Sequence, residues 1–101
     1  MLLENISFDV TMTIIDNNTQ EKAGQFRYVV KDTIAEICDT YLFPDYRRQK
    51  IISSIFKRMI PELKICGVSK IMLKCLNEDA RIAWESMGFM QVGNGHMEFH
   101  I

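Results

Sequence analysis

Glu36 to Ile60, reading Glu-Ile-Cys-Asp-Thr-Tyr-Leu-Phe-Pro-Asp-Tyr-Arg-Arg-Gln-Lys-Ile-Ile-Ser-Ser-Ile-Phe-Lys-Arg-Met-Ile, decides the fold. An apolar strand runs into a proline-marked turn at Pro44, a cationic step follows at Arg47, Arg48 and Lys50, and an amphipathic helix comes next. From about Arg47 the helix places Ile51, Ile52, Ile55, Phe56, Met59, Ile60 and Leu63 on one broad apolar face, the pattern of a helix buried on a sheet. Strand, turn and helix in this order make an anion site: amides of the helix's first turn have no carbonyl partner and sit at the positive end of the helix dipole. Pro61 is expected to kink the last turn or to end the regular helix near Ile60.

Upstream, Ile6 to Ile15 alternates apolar and polar residues, a half-buried strand. Asp16 to Gly24 is rich in turn formers and reads as a hairpin connection to a second strand at about Gln25 to Val30. Lys31-Asp32-Thr33 turns into a third strand over Ile34 to Leu42, with Ile34, Glu36, Cys38, Thr40 and Leu42 on one face and Ala35, Ile37, Asp39 and Tyr41 on the other. Short turns between three successive strands predict an antiparallel meander. Downstream, Gly67 is placed to close the long helix, and Lys70 to Leu76 reads as a strand parallel to the third through a right-handed crossover. Asn77 caps a short second helix, with Ala80, Ala83, Trp84 and Met87 facing inward and Gly88 at its C-terminal cap. Phe89 to Val92 and Met97 to Ile101 form a final hairpin. The expected fold is α/β, an α+β mixed sheet of order β-β-β-α-β-α-β-β.

The chain of 101 residues suits a single domain spanning 1–101. Its charge is unevenly spread: residues 46–76 carry eight Lys/Arg against one Asp/Glu, whereas both flanks are acidic. A cationic middle would attract an anionic ligand. The acidic flanks and the absence of interleaved exposed aromatics argue against nucleic acid. The acidic start lacks the flank of a signal peptide, and no apolar stretch approaches membrane-spanning length, so the expected location is cytoplasmic with no membrane partner. Cys38, Cys66 and Cys75 form no C-x-x-C pair and read as buried thiols. His96 and His100 share a strand face, with no third ligand nearby to suggest a metal site.

Together, the third strand, the Pro44 turn, the long helix, the next strand and Asn77-x-x-Ala80-x-x-x-Trp84-x-x-Met87-Gly88-Phe89 resemble the acetyl-CoA-binding half of the GCN5-related N-acetyltransferases, over roughly 34–93. The helices that usually open that fold have no counterpart, which implies a minimal version. The resemblance implies acetyl transfer from acetyl-CoA, the co-substrate, to a primary amine by direct attack. The family's pyrophosphate motif, Gln/Arg-x-x-Gly-x-Gly/Ala, falls on Arg47, Arg48, Gln49, Lys50, Ile51 and Ile52, of which only Arg47 agrees. Thr40 and Leu42 are expected to meet the pantetheine arm through main-chain hydrogen bonds, and Asn77 matches a residue that often faces the cofactor. The family's catalytic glutamate lies eleven residues before the motif within Ala-Glu-Ile; Ala35-Glu36-Ile37 has that spacing, so Glu36 is the candidate general base. Trp84 stands where many members carry a tyrosine that protonates the departing thiolate, and an indole N–H cannot act as a useful acid. Lys50 and branched Ile52 replace residues that let backbone approach a phosphate, which leaves a second expectation: a GNAT-fold binding module acting through a protein partner or as a homodimer along a free sheet edge.

Overall fold

The computed structural model describes residues 7–47, 50–75 and 77–101. Six strands form one sheet: β1 (Ser7–Ile15), β2 (Lys22–Lys31), β3 (Ile34–Leu42), β4 (Lys70–Lys74), β5 (Met90–Gly93) and β6 (His96–His100), arranged β1-β2-β3-β4-β6-β5. Helix α1 (Ile51–Ile65) links β3 to β4, and α2 (Glu78–Ser86) links β4 to β5. The β3–β4 pair is parallel and every other pair antiparallel, the mixed sheet and element order expected.

Both helices lie on one face of the sheet. α1 buries Ile55, Phe56, Met59 and Leu63 against sheet residues that include Phe26, Val30, Ile71 and Met97. Phe56 also meets Trp84 of α2 edge-on, with ring centroids 6.3 Å apart, and Phe89 and Phe99 complete the aromatic cluster. Among the described residues the other face carries no helix. One row crosses it through all six strands in register: Asp9, Val29, Glu36, Met72, Glu98 and Met90.

Several local readings change. α1 begins at Ile51, four residues later than Arg47, because Pro44–Tyr46 forms a 3-10 turn and Arg47 leaves it in extended conformation. The helix passes through Pro61 to Ile65. The lost hydrogen bond falls on an exposed flank, while Leu63, one turn beyond Met59, keeps the apolar face on the core. Both helices end on the same motif. Gly67 and Gly88 take positive φ, and the residues that follow, Val68 and Phe89, donate back to Leu63 and Trp84 while packing beside them. Only part of the inward face expected of α2 is realised: Ala80, Trp84 and Met87 are half-buried, and Ala83 is exposed. Cys66, at the end of α1, is exposed, and Cys38 and Cys75 are half-buried, so the thiols are not core residues.

The face assignment of β3 also changes partway along. Arg27 pairs with Cys38 but Gln25 pairs with Tyr41, so Asp39 and Thr40 together oppose Phe26 in a bulge. Ala35 and Ile37 face the helices before the bulge, and Thr40 and Leu42 are the half-buried positions after it. Asp39 holds φ +46, a conformation that Asp tolerates better than most residues. Arg27 bridges Asp39 at 2.5 Å and Asp9 at 2.7 Å, fixing the bulge to both preceding strands.

Gly24 lies within β2 rather than in the turn, opposite Leu42. A Cβ there would stand 2.2 Å from the Tyr41 carbonyl oxygen, so the close approach of β2 to the end of β3 requires glycine. Gly24→Ala should therefore lower stability by about 3 kcal/mol, the upper range for overpacking, read as a fall in the urea midpoint at unchanged slope.

Candidate functional site

The parallel ladder between β3 and β4 covers four residue pairs and stops at Ile37 and Leu73. Beyond it the strands part. β3 stays with β2, where Gly24 pairs with Leu42 and the Phe43 amide donates to Ala23 at 2.8 Å. β4 stays with β6, where Lys74 pairs with His96 and the Cys75 amide donates to Gly95 at 2.6 Å. The sheet forks at the carboxyl ends of its two parallel strands, where α/β folds bind ligands. Both helices also start at this end, each following one of these strands.

Glu36 stands one residue before the fork on the helix-free face, exposed, between Val29 and Met72. Cys38 follows on the same face. Burial pushes its thiol up, and Arg27 only partly offsets this, so the sulfur is held as a thiol and is a poor nucleophile.

From the fork the chain enters the 3-10 turn. The Tyr46 hydroxyl donates to Asp16 Oδ2 at 2.8 Å, tying the turn to the β1–β2 connection. That bond, with the Asn18 amide, holds the Asp16 carboxyl below its usual range. Arg47 Nε donates to the Leu42 carbonyl at 3.0 Å, and Lys50 then precedes the helix at φ 57 and ψ 25. This left-handed conformation is the one glycine adopts most easily. The resemblance sets Lys50 at a glycine of the pyrophosphate motif, and its backbone is left-handed. The cations Arg47 and Lys50 lie before the helix rather than within its first turn, so the amides of Ile51, Ile52 and Ser53 are left to an incoming anion.

Two of the expected motif residues, Arg48 and Gln49, lie outside the described residues. Ile52 is half-buried and packs against the core, which turns its side chain toward the sheet. Leu42 already has its carbonyl engaged by Arg47, so a pantetheine amide there would exchange with the guanidinium. The Thr40 hydroxyl accepts from the Arg27 amide at 3.2 Å and lies 3.1 Å from the Cys38 carbonyl, closing the bulge. Asn77 caps α2 by accepting from the Ala80 amide at 3.0 Å, which leaves its Nδ2 as the group able to meet a ligand. The structure thus brings Glu36, Thr40 and Leu42 to the fork, and Arg47, Lys50, Ile51 and Asn77 to the elements that begin at its mouth. Trp84 instead packs against Phe56 and Phe89. His96 and His100 share the face of Glu98, and among the described residues no three His, Cys, Asp or Glu side chains gather as a metal site.

The Arg27 bridge to Asp9 and Asp39 escaped the sequence reading. A detectable signal was present, since hairpin register puts Asp9 and Arg27 on the polar face of adjoining strands, where opposite charges pair. The partner Asp39 could not be placed without the bulge.

The fork thus has two helix N-termini at its mouth, Glu36 before the branch and α1 opened by Lys50 in the left-handed region. The family model described as the Acetyltransferase (GNAT) family matches residues 6–89. The chain belongs to the GNAT acetyltransferase family. Solved structures agree in fold. A candidate acetyltransferase from Agrobacterium tumefaciens superposes with a TM-score of 0.83 at 18% identity, covering 97% of this chain and 78% of that one. The PaiA N-acetyltransferase from Thermoplasma acidophilum, in complex with coenzyme A, gives 0.77 at 18% identity, covering 92% and 61%. The ribosomal-protein-S18-alanine N-acetyltransferase from Escherichia coli gives 0.75 at 22% identity, covering 92% and 69%. A sequence search of curated proteins finds no match.

The Tyr46–Asp16 bond yields a pH test. Because the folded Asp16 pKa is lowered, its contribution is present above the unfolded value, about 3.9, and is lost as pH falls through the folded one. Tyr46→Phe should be less stable than wild type at pH 6, and the gap should close toward pH 3. Denaturant titrations across that range measure it.

Proposed function

We propose that this GNAT-family protein is an acetyl-CoA-dependent N-acetyltransferase acting on a primary amine, with the cofactor entering the fork between β3 and β4. The observation that carries this reading is the backbone at Lys50. Lys50, which the resemblance sets at a glycine of the motif, holds the left-handed conformation that glycine adopts most easily, and this supports a phosphate-binding turn ahead of α1.

The residues fit a CoA thioester. The first-turn amides of α1 face outward with Arg47 and Lys50 beside them, which suits a pyrophosphate, and Arg48 and Gln49 complete the motif in sequence. The strand edge at Thr40 and Leu42 suits an amide-bearing arm, with Arg47 released from Leu42 to the phosphates, and the Asn77 amide group stands at the start of α2. Acetyl-CoA, when bound, supplies the acetyl group as an activated thioester. Glu36, exposed on the helix-free face, accepts a proton from the acceptor ammonium directly or through one water, leaving a free amine to attack. Trp84 is committed to the aromatic cluster and supplies no proton, so the departing sulfur draws on water. The open face around Glu36 admits the acceptor without a covering helix, which suits a small amine or the end of a polypeptide. Among the described residues no helix is long and apolar enough to cross a membrane, and a cytoplasmic location belongs to the same reading.

Isothermal titration with acetyl-CoA and CoA tests the cofactor part: micromolar binding is expected, and no heat at millimolar cofactor would overturn it. Glu36→Gln tests the base. Its turnover on an amine acceptor should fall by about 10²- to 10⁴-fold while CoA affinity stays close to wild type, and an unchanged rate would remove Glu36 from the mechanism.

A further inference from the structure

Among the described residues β1 is an edge strand, with β2 on one side and no strand on the other. Its main-chain direction follows from β2. The Arg27 amide is donated toward Thr40 of β3, and the Ala23 carbonyl accepts from Phe43 beyond β3, so odd-numbered residues of β2 address β3. Even-numbered Phe26 and Tyr28 then address their β1 partners Met12 and Val10. Asp9, Thr11 and Thr13 therefore direct their amides and carbonyls outward.

Proline, lysine and inward charge are absent along the nine residues of β1, and the ladder with β2 is regular up to Ile14. On the helix side, Phe8, Val10, Met12 and Ile14 are only half-buried. A groove of about 500 Å³ lies beside them, lined by Met12, Ile14, Ile51 and Ile55, with Lys50 and Arg58 at its rim. Glu62 follows Arg58 by one turn on the same side of α1, near Tyr28, which stands opposite Val10. Among the described residues neither Arg58 nor Glu62 forms an ion pair.

We propose that the outer edge of β1 is a homodimer interface, in which two copies pair antiparallel about a two-fold axis at Thr11. Only this register pairs all nine residues of both strands. It sets Thr11 against Thr11 of the second copy, Asp9 against Thr13, Val10 against Met12 and Phe8 against Ile14, so apolar residues meet apolar ones and the only charge meets a threonine. Phe8 of each copy arrives beside Ile14 of the other, at the groove. α1 runs antiparallel to β1, with Lys50 near Ile14 and Glu62 near Val10, so the same axis brings Arg58 of one copy toward Glu62 of the other, and the reverse. An isologous interface needs this self-complementarity. The occupant is a second copy because the charges and the apolar row match their own two-fold image. The proposal does not depend on acetyl transfer.

Sedimentation velocity at tens of micromolar tests it, with twice 11.8 kDa expected for wild type. Thr11→Pro removes an outward amide, which an edge strand tolerates, and should be monomeric with an unchanged far-ultraviolet spectrum. Arg58→Glu should raise the dimer dissociation constant at least tenfold, and adding Glu62→Arg to it should restore wild-type affinity. A wild-type monomer at these concentrations would overturn the proposal, as would a folded Thr11→Pro that stays dimeric. A double variant no tighter than Arg58→Glu, or a heterologous peptide on the β1 edge of a monomeric chain, would do the same.

Discussion

One residue more on β3 than on β2 sets the geometry of this fold. At Asp39 the strand carries an unmatched residue, and its ladder with β4 has already stopped at Ile37. Bulges bend and twist the strand that carries them, so the second half of β3 leans toward β2 and away from β4. The backbone there occupies a region that costs about 1–2 kcal/mol for most residues. Arg27 holds it by joining Asp39 to Asp9 across two strands. The fork, the exposed strand edge within it and the placing of the Pro44 turn all follow from that bend.

The same bend separates two kinds of work along one strand. Before it, Ala35 and Ile37 face the helices and anchor β3 in the core, while Glu36 between them is turned to the open face. After it, Leu42 accepts from Arg47, and the chain moves through the Tyr46–Asp16 contact to Lys50. The carboxylate and the cationic turn are thus held at fixed separation by a strand packed on one side only. The family assignment and the solved structures match this framework, in particular the parallel pair and the helix that follows it.

Much of the framework could be read from the sequence because it follows from period and punctuation. The alternation of β1, the apolar face of α1, the Asn77 cap and the glycines closing both helices each have a local cause written within a few residues. Features with non-local causes were not legible. The bulge at Asp39 carries no glycine to announce it, and it reverses the faces expected for Thr40 and Leu42. The start of α1 moved because the Pro44 turn consumes residues that have helix-compatible side chains. Pro61 reads as a kink in the last turn or an end near Ile60, and the helix continues to Ile65 because burial of Leu63 beyond it outweighs one missing hydrogen bond. At the site, Glu36 and the turn are expectations carried by the family resemblance, whereas the Arg47–Leu42 bond depends on how the chain folds back on itself.

α2 has a consequence for motion. It contains no fully buried residue, and it is held to the body mainly through Trp84, between Phe56 and Phe89. Its other bonds, such as those of Arg81 to Glu78 and Glu85, stay within the helix and give no grip on the sheet. Local opening free energy scales with buried contact, so α2 is the element whose amides exchange with solvent by sub-global fluctuation, while those of α1 and the central strands wait for global unfolding. One wall of the fork is therefore the most lightly anchored helix, held to the core by Trp84 and, at its C-terminal cap, Met87.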